Sequence, residues 1–270
     1  MPEPSETAAV PIPPHALWRR ALVSLVCTPM VNDVQKAPGH LPPGRRVYAI
    51  GDIHGCGEQL AALHAAIVAD LHRRPVADPL LIHLGDYVDR GPDIAEVMEK
   101  LAAGDPIGGL PTINLLGNHE RTMLDALLGD RAAATDWLYT GGRESLSSYG
   151  IHPDDDPRDV WTQRVPQSHI DFLKSLTLMH QEGNYVFAHA GIRPGVALAA
   201  QEKHDLITIR TTFLFSEADF GAVVVHGHTP TPTRMPVIKP NRIALDTGAV
   251  YGGKLTCAIL EDDRVGFFYA

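Results

Sequence analysis

The chain has 270 residues, 44% of them hydrophobic and 20% charged, which is enough for one sizeable core with or without an inserted cap. Its net charge of −9 sets the surface as a whole against the phosphate backbone of nucleic acid, so no nucleic-acid partner is expected. The three cysteines, Cys27, Cys56 and Cys257, are odd in number and lack CxxC spacing, which argues against a disulfide framework or a structural zinc site and for a reducing, cytoplasmic setting.

The first fifteen residues, MPEPSETAAVPIPPH, are acidic and proline-rich and lack the basic start and apolar stretch of a secretory signal. ALWRRALVSLVCTPMV (16–31) carries an apolar run well short of the roughly 20 residues of a spanning helix. It reads as a short amphipathic arm on the domain, with an interfacial membrane anchor as the competing reading. Residues 1–44 are therefore taken as a tail and arm and 45–270 as the functional domain. Removal of residues 1–43 is expected to leave activity intact.

From residue 45 the pattern becomes regular. RRVYAIGD predicts a strand and turn, and 58–74 a helix with apolar residues at helical spacing. Two more units follow: PLLIHLGD (79–86) with a helix over 93–103, and PTINLLGNHE with a helix over 121–130. Three strand-turn-helix units with long crossovers predict an α/β fold with parallel strands and helices on the faces. The stretch 131–183 turns polar and irregular, with helical segments such as SHIDFLKSLTL, and predicts a mostly helical cap over the site. Strand character returns at NYVFAHAG (184–191), and AVVVHGHTP, RIALDTGAV and the hairpin-like LEDDRVGF predict mostly β structure in the second half.

Each of the first three strands ends in a glycine followed at once by residues able to bind metal: GDIHG, GDYVDRG and GNHE. The carboxyl ends of strands are where open α/β sheets bind ligands. Asp52 and His54 converge on one turn, Asp86 stands at the next strand end, and Asn118, His189 and His228 end three further strands. Six oxygen and nitrogen donors without a thiolate suit manganese, iron or zinc. They are too many for one open site, so they divide into Asp52, His54 and Asp86 on one ion and Asp86, Asn118, His189 and His228 on the other, with Asp86 bridging. Such a pair of ions holds a hydroxide and clamps a phosphoryl group for in-line displacement.

GDIHG, GDYVDRG, GNHE, AHAG and HGHT, in this order over about residues 46–253, resemble the signature of the phosphoprotein phosphatase family of calcineurin-like metallophosphoesterases, in its bacterial and phage-type branch. The resemblance implies two packed β-sheets flanked by helices, the dimetal ligands above and a preference for manganese. It implies that His119 is the general acid protonating the leaving alkoxide, that Asp89 orients it, and that Arg90 holds phosphate oxygens. Arg210, in LITIRTTFL, is implied as a second phosphate clamp, while Glu120 is expected to brace the GNHE turn.

The sequence departs from the eukaryotic branch in placing Leu116 where an arginine commonly precedes GNHE. The function expected is hydrolysis of phosphoserine and phosphothreonine in proteins, with phosphotyrosine as a further substrate. Dinucleoside polyphosphate hydrolysis is the alternative; that branch more often shows GNHD and lacks the Asp89–Arg90 pair. A non-catalytic metal-binding module would need a broken ligand, and none is broken. His226 is expected to be structural, and His64, His72, His83, His169 and His180 to be surface or packing residues. For Cys56 a small packing role is weighed against a redox switch, and for Arg143 a place in the substrate groove against a plain loop.

Overall fold

The computed structural model describes residues 32–152 and 161–270; the arm over 16–31, with Cys27, and residues 153–160 lie outside these. In chain order the described elements begin with β1 (Asn32–Lys36), β2 (Arg45–Ile50), α1 (Gly57–Arg73), β3 (Asp78–His83), α2 (Ile94–Ala102), β4 (Thr112–Asn114) and α3 (Asn118–Leu127). Four helices follow, α4 (Arg131–Thr140), α5 (Gly142–Ser148), α6 (Thr162–Arg164) and α7 (Gln167–Ser175). The second half holds β5 (Met179–Glu182), β6 (Tyr185–Ala188), α8 (Lys203–Thr208), α9 (Thr211–Leu214), β7 (Val223–His226), β8 (Val237–Lys239), β9 (Arg242–Ala244), β10 (Thr256–Glu261) and β11 (Arg264–Tyr269).

The strands form two sheets, ordered β1-β11-β10-β2-β3-β4 and β5-β6-β7-β9-β8. β2, β3 and β4 run parallel, as do β6, β7 and β9. Side-chain alternation along each strand sets the layers. Val47 and Ala49 of β2 join Leu80, Ile82, Phe187, Val225 and Ile243 between the two sheets. Tyr48 and Ile50 point the other way, into a core closed by Leu60, Leu63 and Ile67 of α1, Met98 of α2 and Met123 of α3. Beyond the second sheet, Val186 and Val224 pack against Leu206 of α8 and Phe213 of α9. The result is a mixed α/β sandwich of two sheets flanked by helices, the architecture that the resemblance implies.

Within the stretch 131–183, expected as a cap, the described residues 131–152 and 161–175 contribute to that first core: Trp137, Leu146, Trp161 and Ile170 belong to it. Trp137 and Trp161 meet edge to face with centroids 5.5 Å apart, a preferred aromatic geometry. The arm assigned to 1–44 also contains an element of the fold. β1 pairs antiparallel with β11, and Leu41 is buried beside the inter-sheet core. Its polar sequence NDVQK hides the strand because an edge position does not need an apolar face. Similarly, β5 (MHQE) precedes the return of strand character expected at 184, and 203–214 is helical in an otherwise β-rich half. The LEDDRVGF hairpin forms as expected, with Glu261 opposite Arg264.

Candidate metal and phosphate site

All six expected metal donors lie just beyond the carboxyl ends of parallel strands: Asp52 and His54 after β2, Asp86 after β3, Asn118 after β4, His189 after β6 and His228 after β7. The first sheet contributes four and the second two, so the site spans the seam where the sheets open. Asp86 lies at its centre, with Oδ2 3.5 Å from His54 Nε2 and Oδ1 3.3 Å from His189 Nε2. His189 Nε2 is also 3.2 Å from the Asn118 side-chain oxygen. Within 4.8 Å of one another stand donor atoms of Asp86, His189 and His228, and separately of Asp86, His54 and His119. Both groups share Asp86, as a bridging ligand would. Asp52 reaches the site differently, accepting the His228 backbone N–H at 2.9 Å.

Backbone conformation aims these side chains. His54, Asp86, Asp89, Arg90 and His228 all have positive φ, between 44° and 72°, a region that costs a non-glycine residue free energy unless its surroundings fix it. The fixing groups are identifiable. The Asp86 carbonyl accepts the N–H groups of both Ile53 and His54. Glu120 accepts four backbone N–H groups, from Asp86 (2.8 Å), Tyr87 (2.6 Å), Val88 (3.1 Å) and Gly117 (3.0 Å). The bond to Gly117 is half of a capping box, because α3 begins at Asn118 instead of after GNHE. Gly117 and Gly227 are glycines for lack of room: a Cβ would strike Asp86 Oδ1 at the first and Asp52 Oδ1 at the second.

His119 Nδ1 lies 2.6 Å from Asp89 Oδ2. The other Asp89 oxygen accepts the Trp137 indole N–H (2.7 Å) and the Ser145 hydroxyl (2.6 Å). Trp137 and Ser145 were not predicted from sequence. They come from α4 and α5, and no local pattern ties them to a motif near residue 89. Burial would lower the His119 pKa, but Asp86 and the bond to Asp89 outweigh it and hold it above the ordinary value. Arg90 Nη1 is 2.7 Å from His54 Nε2, with the guanidinium 5.7 Å from the Tyr251 ring. Arg210 lies on the His228 side, bonded to the Thr229 hydroxyl at 3.1 Å and near enough to His228 to disfavour its protonation.

The electrostatics fit divalent ions. Asp52, Asp86, Glu120 and Asp246 are all buried, and carboxylates are seldom buried together without cations. Burial and Asp246 hold Asp52 well above the carboxylate range, and burial pushes Asp246 up to about 6. Burial opposes the ionisation of Asp86, yet His189 and His119 bring it well below its usual value. His228 is buried, and among the described residues neither ring nitrogen stands in hydrogen-bond geometry with a partner; burial pushes it down to about 3, which favours a neutral ring with a lone pair for an ion. Asp246 was missed in the sequence, where RIALDTG sets its acid just beyond an apolar strand but ahead of the glycine.

The other histidines separate clearly. His226 is fully buried, with its ring edge-on to Phe213. His64 and His83 are buried and face each other at 3.1 Å, and His83 also bonds Asn114 at 2.7 Å; these are polar pairs beneath the site. His169 joins Tyr149 and Glu99, while His72 is exposed. Burial pushes the Cys56 thiol up to about 11, which suits packing and not a redox switch. Arg143 is exposed and lines an open groove beside Gly91 and Pro92.

Buried carboxylates and histidines this crowded suit divalent cations, and arginines beside them suit an anion. The class that unites the two on a helix-flanked pair of sheets is the metallophosphoesterase, a hydrolase. The family model for calcineurin-like phosphoesterases matches residues 45–267, and the chain belongs to that family.

Relatives fall in two groups. The serine/threonine-protein phosphatase 1 of Salmonella typhimurium is 28% identical over 233 residues, covering 80% of this chain and 93% of its own. A symmetrical bis(5'-nucleosyl)-tetraphosphatase of Aromatoleum aromaticum is 30% identical over 286 aligned positions, covering 81% and 95%. Another from Acidovorax sp. matches at 31% over 149 residues, 55% of this chain but only 44% of its own length. Among solved structures, one described as a diadenosine tetraphosphatase superposes with a TM-score of 0.59 at 24% identity, covering 86% of this chain and 98% of its own. A Saccharomyces cerevisiae serine/threonine phosphatase does so at 0.52 and 14%, covering 84% and 81%. At these identities the two structures establish the fold alone. No helix of the described residues is long and apolar enough to cross a membrane.

Proposed function

We propose that the chain is a metal-dependent protein phosphatase releasing phosphate from phosphoserine and phosphothreonine side chains, with phosphotyrosine as a further substrate. The observation that carries this reading is the His119–Asp89 pair at 2.6 Å. Release of a serine or threonine alkoxide demands a proton, and an imidazole oriented by a buried carboxylate is built to donate one. Cleavage of a dinucleoside polyphosphate expels a phosphate group instead, a far weaker base with far less need of an acid. The Salmonella phosphatase, aligned over nearly its whole length, supports the same reading.

Asp52, His54 and Asp86 would hold one ion and Asp86, Asn118, His189 and His228 the other, with manganese preferred and iron or zinc suited to the same donors. Bound there, the ions would supply a nucleophile from water at neutral pH and neutralise phosphoryl charge. Arg90, beside His54, and Arg210, near His228, would hold phosphate oxygens. In this reading the partners are phosphorylated proteins, and the buried, unpaired Cys56 and Cys257 fit a cytoplasmic setting.

Symmetrical dinucleoside tetraphosphate hydrolysis is the second reading, favoured by the Aromatoleum relative. Metal-stripped protein resupplied with manganese, given a phosphoserine peptide, a phosphotyrosine peptide and diadenosine tetraphosphate in parallel, separates the two. Faster turnover of the peptides supports the first, and faster turnover of the dinucleotide the second.

A further inference from the structure

Arg234 stands six positions after His228, on the loop between β7 and β8. Its backbone is left-handed, with φ 53°. Its N–H bonds the Thr231 carbonyl at 3.0 Å, and the Thr231 hydroxyl bonds the Met235 carbonyl at 2.8 Å. The loop is thus braced while the side chain stays exposed. Among the described residues its guanidinium has no hydrogen-bond or ion-pair partner.

An exposed arginine is ordinarily solvated surface, but two observations set this one apart. Its Nη1 lies 3.9 Å from where a Cβ on Gly252 would stand, next to Tyr251. The Tyr251 ring, 49% exposed, is in turn 5.7 Å from the guanidinium of Arg90. His54, Arg90 and Tyr251 thus stand in succession, and Arg234 approaches the residue that follows Tyr251. In a protein of net charge −9, an unpaired cation at the mouth of an anion site makes the local potential favourable to a second negative group.

We propose that Arg234 binds a carboxylate of the substrate polypeptide close to the phosphorylated residue, with Tyr251 as the floor between that carboxylate and the phosphate held by Arg90. The inference rests on the protein phosphatase reading and narrows it to phosphopeptides with acidic flanks.

The test uses the full chain with manganese and two phosphoserine peptides that differ only in flanking glutamates or alanines. Arg234→Asn removes the charge while keeping a residue type that tolerates left-handed backbone, and Arg234→Glu reverses it. An exposed ion pair is worth roughly a two- to fivefold effect, so the parent should prefer the acidic peptide by about that factor in kcat/KM, expressed in KM. Arg234→Asn should abolish the preference while leaving the neutral peptide unchanged, and Arg234→Glu should invert it. About 0.5 M salt should erase the preference in the parent. Equal losses on both peptides would make Arg234 a structural residue, and no change on either would make it plain surface; each overturns the proposal. If the parent cleaves diadenosine tetraphosphate and neither peptide, the protein phosphatase reading itself falls.

Discussion

Asp89 and His119, 30 positions apart in sequence, share a hydrogen bond of 2.6 Å, and the far oxygen of Asp89 is tied to Trp137 and Ser145. The imidazole is thereby fixed from behind by a carboxylate that cannot rotate. His119→Asn should lower turnover of a phosphoserine peptide by the roughly 100- to 10,000-fold expected for a general acid, with metal content unchanged by elemental analysis. Ser145→Ala, which loosens Asp89 without touching His119, should fall between that variant and the parent. Parent-like activity in His119→Asn would remove the histidine from the chemistry.

Asp86 faces histidines of both halves of the site. Asp86→Asn should therefore reduce occupancy at both metal positions together, read as metal per chain after dialysis against manganese. A variant that keeps two ions would contradict the bridge.

Glu120 accepts four backbone N–H groups in a buried turn. Glu120→Ala should destabilise the fold by roughly 3 kcal/mol or more, since each buried donor left unpaired costs about 1 to 3 kcal/mol. Urea unfolding measures this, and a loss below 1 kcal/mol would mean that the turn finds other acceptors.

His83 is fully buried, and burial pushes it down to about 4. A histidine whose folded pKa lies below its unfolded value of about 6.5 binds its proton more readily when unfolded. Its contribution is complete above pH 6.5 and is lost as the pH falls toward 4. Between pH 7 and pH 5 this group alone should cost about 2 kcal/mol. Urea titrations of parent and His83→Gln at both pH values should show a shallower dependence in the variant; parallel curves would remove His83 as the source.

The pairing of β1 with β11 revises the expectation for the N-terminal region. Deleting residues 1–31 should leave the sheet intact. Deleting 1–43 strips β1 from β11 and leaves the RVGFFY strand as an open edge, a known route to aggregation. The shorter deletion should stay monodisperse in light scattering and the longer should not; equal behaviour would show that β1 is dispensable.

What could be read in the sequence was whatever is local. Asp52, His54, Asp86, Asn118, His189 and His228 each end an apolar strand run, so position and chemistry could be seen together. Trp137 and Ser145 could not, because their link to Asp89 exists only once α4 and α5 pack onto the first core. β1 and β5 escaped notice because polar edge strands carry no alternation. The helical start at Asn118 was within reach, since a glycine followed three residues later by glutamate is a cap signature, but the turn-like GNHE masked it.

The five left-handed residues of the site set folding against chemistry. At Asp86 and Asp89 the side chain that an ion or a histidine needs sits on a backbone that asparagine or glycine would occupy at lower cost. At Asp86, where asparagine keeps an oxygen to accept the His119 N–H, the exchange that abolishes activity should therefore yield metal-free protein that expresses and melts at least as well as the metal-free parent. Selection for solubility alone would drift toward inert molecules, and only a screen that demands turnover would hold these aspartates in place.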